Sequence, residues 1–222
     1  MPSLQVSLGQ ASTPAQVATT VQVLLLLTVL AIAPAVLILM TSFTRIIVVL
    51  SFVRSALATG TMPPNQVLVG LALFLTLFVM SKPLGQIYSQ AWLPYQAGHI
   101  TLQAAIATAE VPLRTFMLAQ TRPSDLALFV HMQGSHPVNP QDVSFTALVP
   151  AFTISELKTA FEMGFVIFIP FVVIDMVVAS TLMSMGMMLL PPVMISLPFK
   201  VLLFVLVDGW HLTMHSLLLS FH

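Results

Sequence analysis

Val21 to Met40 reads VQVLLLLTVLAIAPAVLILM, twenty residues in which only Gln22 and Thr28 are polar. A helix of about 20 apolar residues crosses a hydrocarbon core, so this stretch reads as a membrane helix. Pro34 lies in its second half and is expected to kink the helix rather than end it. No charge precedes Arg45, and residues 1–20 have no basic n-region. They are therefore not an intact secretory signal. They read as a mature start after signal removal, unless the first apolar segment directs insertion itself.

The rest of the chain agrees with that opening. Of 222 residues, 58% are apolar and 6% charged, against roughly 25% charged in a soluble domain. Seven Lys+Arg and seven Asp+Glu cannot cover a core of this size with a water-soluble surface. A net charge of zero argues against nucleic acid, which needs clustered Lys and Arg. With no cysteine there is no disulfide, thiolate metal site or thiol nucleophile. The apolar runs are continuous rather than alternating, which excludes a β-barrel. The expected fold is all-α: bent, membrane-derived helical hairpins around a middle region of short helices. So apolar a chain also implies partner surfaces, and hence a homo-oligomer.

Charges and prolines divide it. Thr59 to Asn65, TGTMPPN, is a turn on Pro63-Pro64. Residues 21–58 and 66–81 then form the arms of a first hairpin (21–82), with Arg45 and Arg54 near its bend and that bend cytoplasmic. Residues 83–155 are more polar and read as short amphipathic helices outside the bilayer, with Gly134 to Ser144 (GSHPVNPQDVS) as the clearest loop. Residues 156–222 open on Glu156, Lys158 and Glu162, the last two sharing a helix face. They form a second bent hairpin with its turn near Met183 to Pro192 and a return arm through Lys200, Asp208 and Trp210.

Catalytic motifs are absent: there is no H-E-x-x-H, G-x-S-x-G, phosphate-binding G-x-x-x-x-G-K-[ST] or G-x-G-x-x-G. No enzyme activity and no cofactor are expected. Asp208, His211 and His215 fall on one helix face, where they suit a metal or proton relay, but a polar helix end meeting water is the preferred reading and no metal is assigned. Asp175 sits inside FIPFVVIDMVVAS. A buried carboxylate at membrane depth either serves an ion step or pairs with a cation; pairing with Lys158, Lys200 or a neighbouring subunit is preferred.

Met183, Met185, Met187 and Met188 crowd one short segment around Gly186, with Pro191-Pro192 just beyond. If the segment is extended, Met183, Met185 and Met187 point the same way. Gly186 and the two prolines favour a loop that acts as a hinge. Such a loop at membrane depth must be buried by protein or line a cavity. A ring of flexible, polarizable methionines would make a dry, deformable constriction. A methionine-filled turn in a packed core explains the same residues equally well.

The blocks TSFTRIIVVLSFVRSAL (41–57), MPPNQVLVGLALFLTLFVM (62–80), PLRTFMLAQTR (112–122), LVPAFTISELKTAFEMGFVIFIPFVVIDMVVAS (148–180) and MSMGMMLLPPVMISLPFKVLLFVLVDGW (183–210) resemble the FliP family of flagellar export-gate proteins, which has relatives in virulence injectisomes. The resemblance implies a non-enzymatic subunit, five copies of which join FliQ and FliR in a conical helical gate. FlhB and FlhA complete the apparatus, and unfolded flagellar subunits pass through. It implies a place in the bacterial inner membrane at the flagellar basal body, in contact with lipid and with parts reaching the periplasmic level. It carries the family's methionine gasket onto Met183, Met185, Met187 and Met188. Arg45, Arg54, Glu156, Lys158, Asp175, Lys200 and Asp208 are then structural charges. A small-solute or ion transporter using Asp175 and Asp208 is the alternative.

Overall fold

The computed structural model describes residues 14–134, 137, 139–187 and 189–221. Residues 1–13 of the N-terminal segment, parts of the 134–144 loop and Met188 thus lie outside the described residues. The chain divides into two compact units, Met1–Leu37 and Ile38–His222. In the first, the described residues belong to helix α1 (Pro14–Met40), which runs through Pro34 without ending. Among its described side chains, Leu24, Leu27 and Leu30 are exposed. Thr28 donates its hydroxyl to the Leu24 carbonyl at 2.8 Å, which satisfies the donor of one of the two polar side chains in residues 21–40.

Among its described residues the second unit's regular secondary structure is all helical. Helices α2 (Phe43–Ala56) and α3 (Asn65–Val79) form the first hairpin. The expected first arm, 21–58, is two helices, because Thr41 and Ser42 separate α1 from α2. A 60° bend follows α3 and leads into α4 (Ser81–Ile87), a π turn (Tyr88–Trp92) and α5 (Leu93–Gln96). Next come α6 (Leu102–Gln120), whose first turn is capped by Thr101, and α7 (Pro123–Met132), with proline at its start. Of these, α4, α5 and α7 are short, as expected of the middle region, whereas α6, at 19 residues, is longer than α2 or α3. The 155/156 boundary does not fall between elements, however, since α8 runs unbroken from Phe145 to Ser184. Its 40 residues span roughly 60 Å at 1.5 Å per residue. Helix α9 (Pro192–Leu206) packs back on it, and α10 (Gly209–Leu219) leaves α9 at 63° through Asp208, whose φ is +50°.

The core is the seam of α2 against α8. On α2 Ile46, Val49, Leu50, Val53 and Ala56 are buried at the three-and-four spacing of one helix face, and Leu57 follows them just past its end. On α8 Ala160 and Gly164 are buried, Gly164 against Phe52 of α2, while Leu148 and Phe152 pack instead with Met117 of α6 and Val143. Gly164 is required there. A Cβ at that position would stand 2.4 Å from Cγ of Phe52, so only hydrogen lets the two helices approach. Val53, Ala56 and Leu57 continue the seam onto Phe171 and Phe204, which brings α9 into the same core.

Helix α8 alone is long and apolar enough to cross a membrane among the described residues. The α3 to α5 segment and the α9–α10 pair each qualify if a bent pair counts as one span. Much of this apolar surface is unburied in the single chain, including Phe74, Phe165, Val166 and Val205.

Candidate functional site

The turn between α8 and α9 carries the methionines. Met183 is still helical, Met185 follows the last helical residue, and Gly186 takes φ +74°. The Gly186 N–H donates to the Met183 carbonyl at 3.0 Å, and the Met187 N–H to the Leu182 carbonyl at 3.0 Å. This pair of bonds is a Schellman motif, with glycine where the backbone turns left-handed. Met183 therefore stays in the helix and the loop begins at a capped helix end rather than as an extended segment, which satisfies the last carbonyls of α8. Pro191 precedes α9 and Pro192 opens it, where a missing N–H costs nothing. Met183, Met185 and Met187 are 63%, 64% and 43% exposed, so within one chain they are not core residues.

The charged residues separate into distinct fittings. Arg45 does not sit at the hairpin bend; it lies in the first turn of α2 and is 1% exposed. Its Nε donates to Glu156 Oε2 at 2.9 Å, and Nη2 to Glu156 Oε1 and, at 3.0 Å, to Gln120 Oε1. Nη1 donates to the Ser220 carbonyl at 2.8 Å and to Ser220 Oγ at 3.0 Å. All five N–H groups of the guanidinium are thereby matched. Its face lies 4.0 Å from the centre of the Phe221 ring. One side chain therefore ties α2, α6, α8 and the residues after α10 together. Arg54 is at the bend, where it donates to Asn65 Oδ1 at 2.5 Å and to the Pro63 carbonyl.

Asp175 is paired with Lys200, of the partners expected for it. The Lys200 ammonium donates to Oδ2 at 2.6 Å, and the Ser196 hydroxyl donates to Oδ1 at 2.5 Å. Lys200 is 3% exposed, so this pair fastens α8 to α9 from inside. Lys158 is exposed on α8. Asp208 precedes α10 and makes no side-chain capping bond. The rings of His211 and His215 stack with centres 6.0 Å apart. No group of three or more His, Cys, Asp or Glu among the described residues could hold a metal ion.

Sequence reasoning missed the partners of Arg45 and a second arginine fitting. Arg122 donates from both terminal nitrogens to Glu162, at 3.0 and 2.6 Å, which joins the start of α7 to α8. Hydrogen bonding to Glu162 holds its guanidinium above the usual value, against an opposing effect of burial and with the charges of Glu162 and Asp125 adding to the rise. Ser155, buried on α8, completes the junction by accepting from the Arg122 backbone N–H and donating to Asp125. The available signal for Arg45 was its place in an apolar face, FTRIIVVL, which requires a buried acceptor set.

Comparison with known proteins follows the same blocks. The FliP family profile matches residues 26–217. A flagellar biosynthetic protein FliP from Bacillus subtilis (strain 168) is 58% identical over 217 residues, covering 97% of this chain and 98% of that protein. The protein of that name from Pectobacterium carotovorum subsp. carotovorum is 56% identical over 91% of this chain and 79% of its own length. The Cereibacter sphaeroides counterpart is 52% identical over 91% and 67%. All three alignments span most of the chain that carries the hairpins, the buried charges and the methionine turn, and the chain belongs to the FliP family.

Proposed function

We propose that this chain is a core subunit of the flagellar type III protein export gate and forms the conduit for unfolded flagellar subunits. The observation that carries the reading is the methionine turn: three exposed methionines on a capped α8–α9 tip, in a chain that matches the FliP family over residues 26–217. Exposed, flexible, polarizable side chains at a hairpin tip are poor surface for a lone chain. Converging from several copies, they make a constriction that gates by dewetting. In this reading five copies assemble with FliQ and FliR, and FlhB and FlhA complete the apparatus. Met183, Met185 and Met187, with Met188, form the gasket. The assembly sits in the bacterial inner membrane at the flagellar basal body, reaches the periplasmic level and performs no chemistry of its own. An ion transporter built on Asp175 and Asp208 is disfavoured, because both oxygens of Asp175 are already engaged by Lys200 and Ser196.

The test is the double substitution Met185→Ala with Met187→Ala in the complex assembled with its partners. Normal complex yield with raised resting conductance in a planar bilayer supports the gasket. Normal yield with unchanged conductance removes these residues from the conduit. A collapse in yield assigns these side chains to packing between subunits, since truncating a Met that assembly buries costs about 2–5 kcal/mol.

A further inference from the structure

Where α3 bends into α4, a cleft of about 570 Å3 opens between these helices, α6 and Phe221. Phe78, Val79, Phe116 and Phe221 give it apolar walls, and Lys82 and Gln86 stand in its lining. Among the described residues no acidic side chain lines it. Lys82 is exposed and makes no hydrogen bond or ion pair among the described residues. The arginines and Lys200 are committed elsewhere: Arg45, Arg122 and Lys200 hold carboxylates, and Arg54 and Arg114 hold an asparagine and a backbone carbonyl, whereas Lys158 stands exposed on α8 away from this cleft. An uncompensated ammonium beside apolar walls calls for an anion with an apolar body. The cleft has the size of a small-molecule site, about 300–1,000 Å3. Beyond it, Phe74, Leu77 and Phe78 lie at three-and-four spacing on α3 and are exposed, so an apolar track leads away from the cation.

We propose that this cleft binds one anionic phospholipid of the surrounding bilayer, with Lys82 and the Gln86 amide donating to its phosphate and an acyl chain lying along Phe78 and Phe74. The bend between α3 and α4 supplies both halves of the site, one helix giving the apolar track and the next the cation. The proposal stands apart from the conduit reading, because none of its residues belongs to the methionine turn.

Native mass spectrometry of the full chain released from detergent tests it, with phosphatidylglycerol and phosphatidylcholine of identical acyl chains as probes. One phosphatidylglycerol should bind preferentially by roughly fivefold, the contribution of one lysine at an anionic surface. Lys82→Gln should reduce that preference to none, and Ala119→Trp, which fills the cleft, should remove binding of both lipids. Lys158→Gln, an exposed cation elsewhere, should change nothing. Unchanged unfolding midpoints accompany these results if the site is read correctly. Equal binding of the two lipids, or a preference that survives Lys82→Gln, overturns the proposal. So does displacement of phosphatidylglycerol by an equal concentration of inorganic phosphate, which would leave only an anion site. A photo-reactive residue at Phe116, irradiated in native membranes, should gain a lipid-sized mass; cross-linking to another protein chain instead overturns the lipid assignment.

Discussion

Replacing Glu156 by Gln isolates the charge at the centre of the second unit. The side chain is 0% exposed, and Gln has nearly the same shape, so packing is preserved. What changes is electrostatic. The Arg45 guanidinium, 1% exposed, loses its carboxylate partner among the described residues and keeps neutral acceptors from Gln120 and Ser220. One of its two N–H groups that faced Glu156 then meets an amide NH2 rather than an oxygen. Breaking one side of a buried ion pair costs about 3–5 kcal/mol, and the bidentate geometry places this case within that range. At 2–4 °C per kcal/mol for a chain of this length, the thermal midpoint should fall by roughly 6–20 °C. Far-UV circular dichroism of the detergent-solubilised chain, at one fixed scan rate, measures it. Adding Arg45→Gln should cost less than the sum of the two single changes, by more than about 1 kcal/mol, because the second substitution removes the stranded charge. A Glu156→Gln midpoint within about 2 °C of the parent, or strictly additive changes, would refute the view that this pair fastens the four elements.

Gly164→Ala should destabilise the α2–α8 seam by about 1–3 kcal/mol, because the new methyl meets Cγ and Cδ2 of Phe52 at 2.4 and 2.5 Å. Phe52→Leu in the same chain should recover part of the midpoint. Asp175→Asn should lower the yield of assembled complex while each complex that forms still exports, since the change strands the 3% exposed Lys200 ammonium. Abolished export at full assembly would instead assign Asp175 to the transport step. Gly186→Ala meets no atom within 4 Å, so its cost is conformational alone, about 1–2 kcal/mol for φ +74°. That cost should appear as faster hydrogen exchange at the end of α8, with the α2–α8 seam unaffected.

Composition by itself determined much. So few charges and such long apolar runs admit only a helical, membrane-derived chain, and prolines and glycines punctuate helices by removing donors or permitting left-handed turns. The turns at 59–64 and near 183–192 were legible for that reason. So was the choice of Lys200 or Lys158 as candidate partners for Asp175, since an apolar run cannot leave a carboxylate alone. The methionine cluster was visible as well, though not its geometry. Whether Met183 continues a helix depends on how the carbonyls of α8 are satisfied, and the Gly186 cap settles that locally.

Only tertiary structure decided the rest. Arg45 and Glu156 are 111 residues apart in sequence, and no periodicity links them; the packing of α2 on α8 does. The same packing moved Arg45 from the expected bend to the buried end of its helix. It also carried α8 through a boundary that charge pattern had placed at residue 156, because helix continuity is set by backbone bonding and the faces available to bury, not by where charged side chains begin. Local signals mark where a helix can stop, while the partner on its other side determines which residues must be buried together.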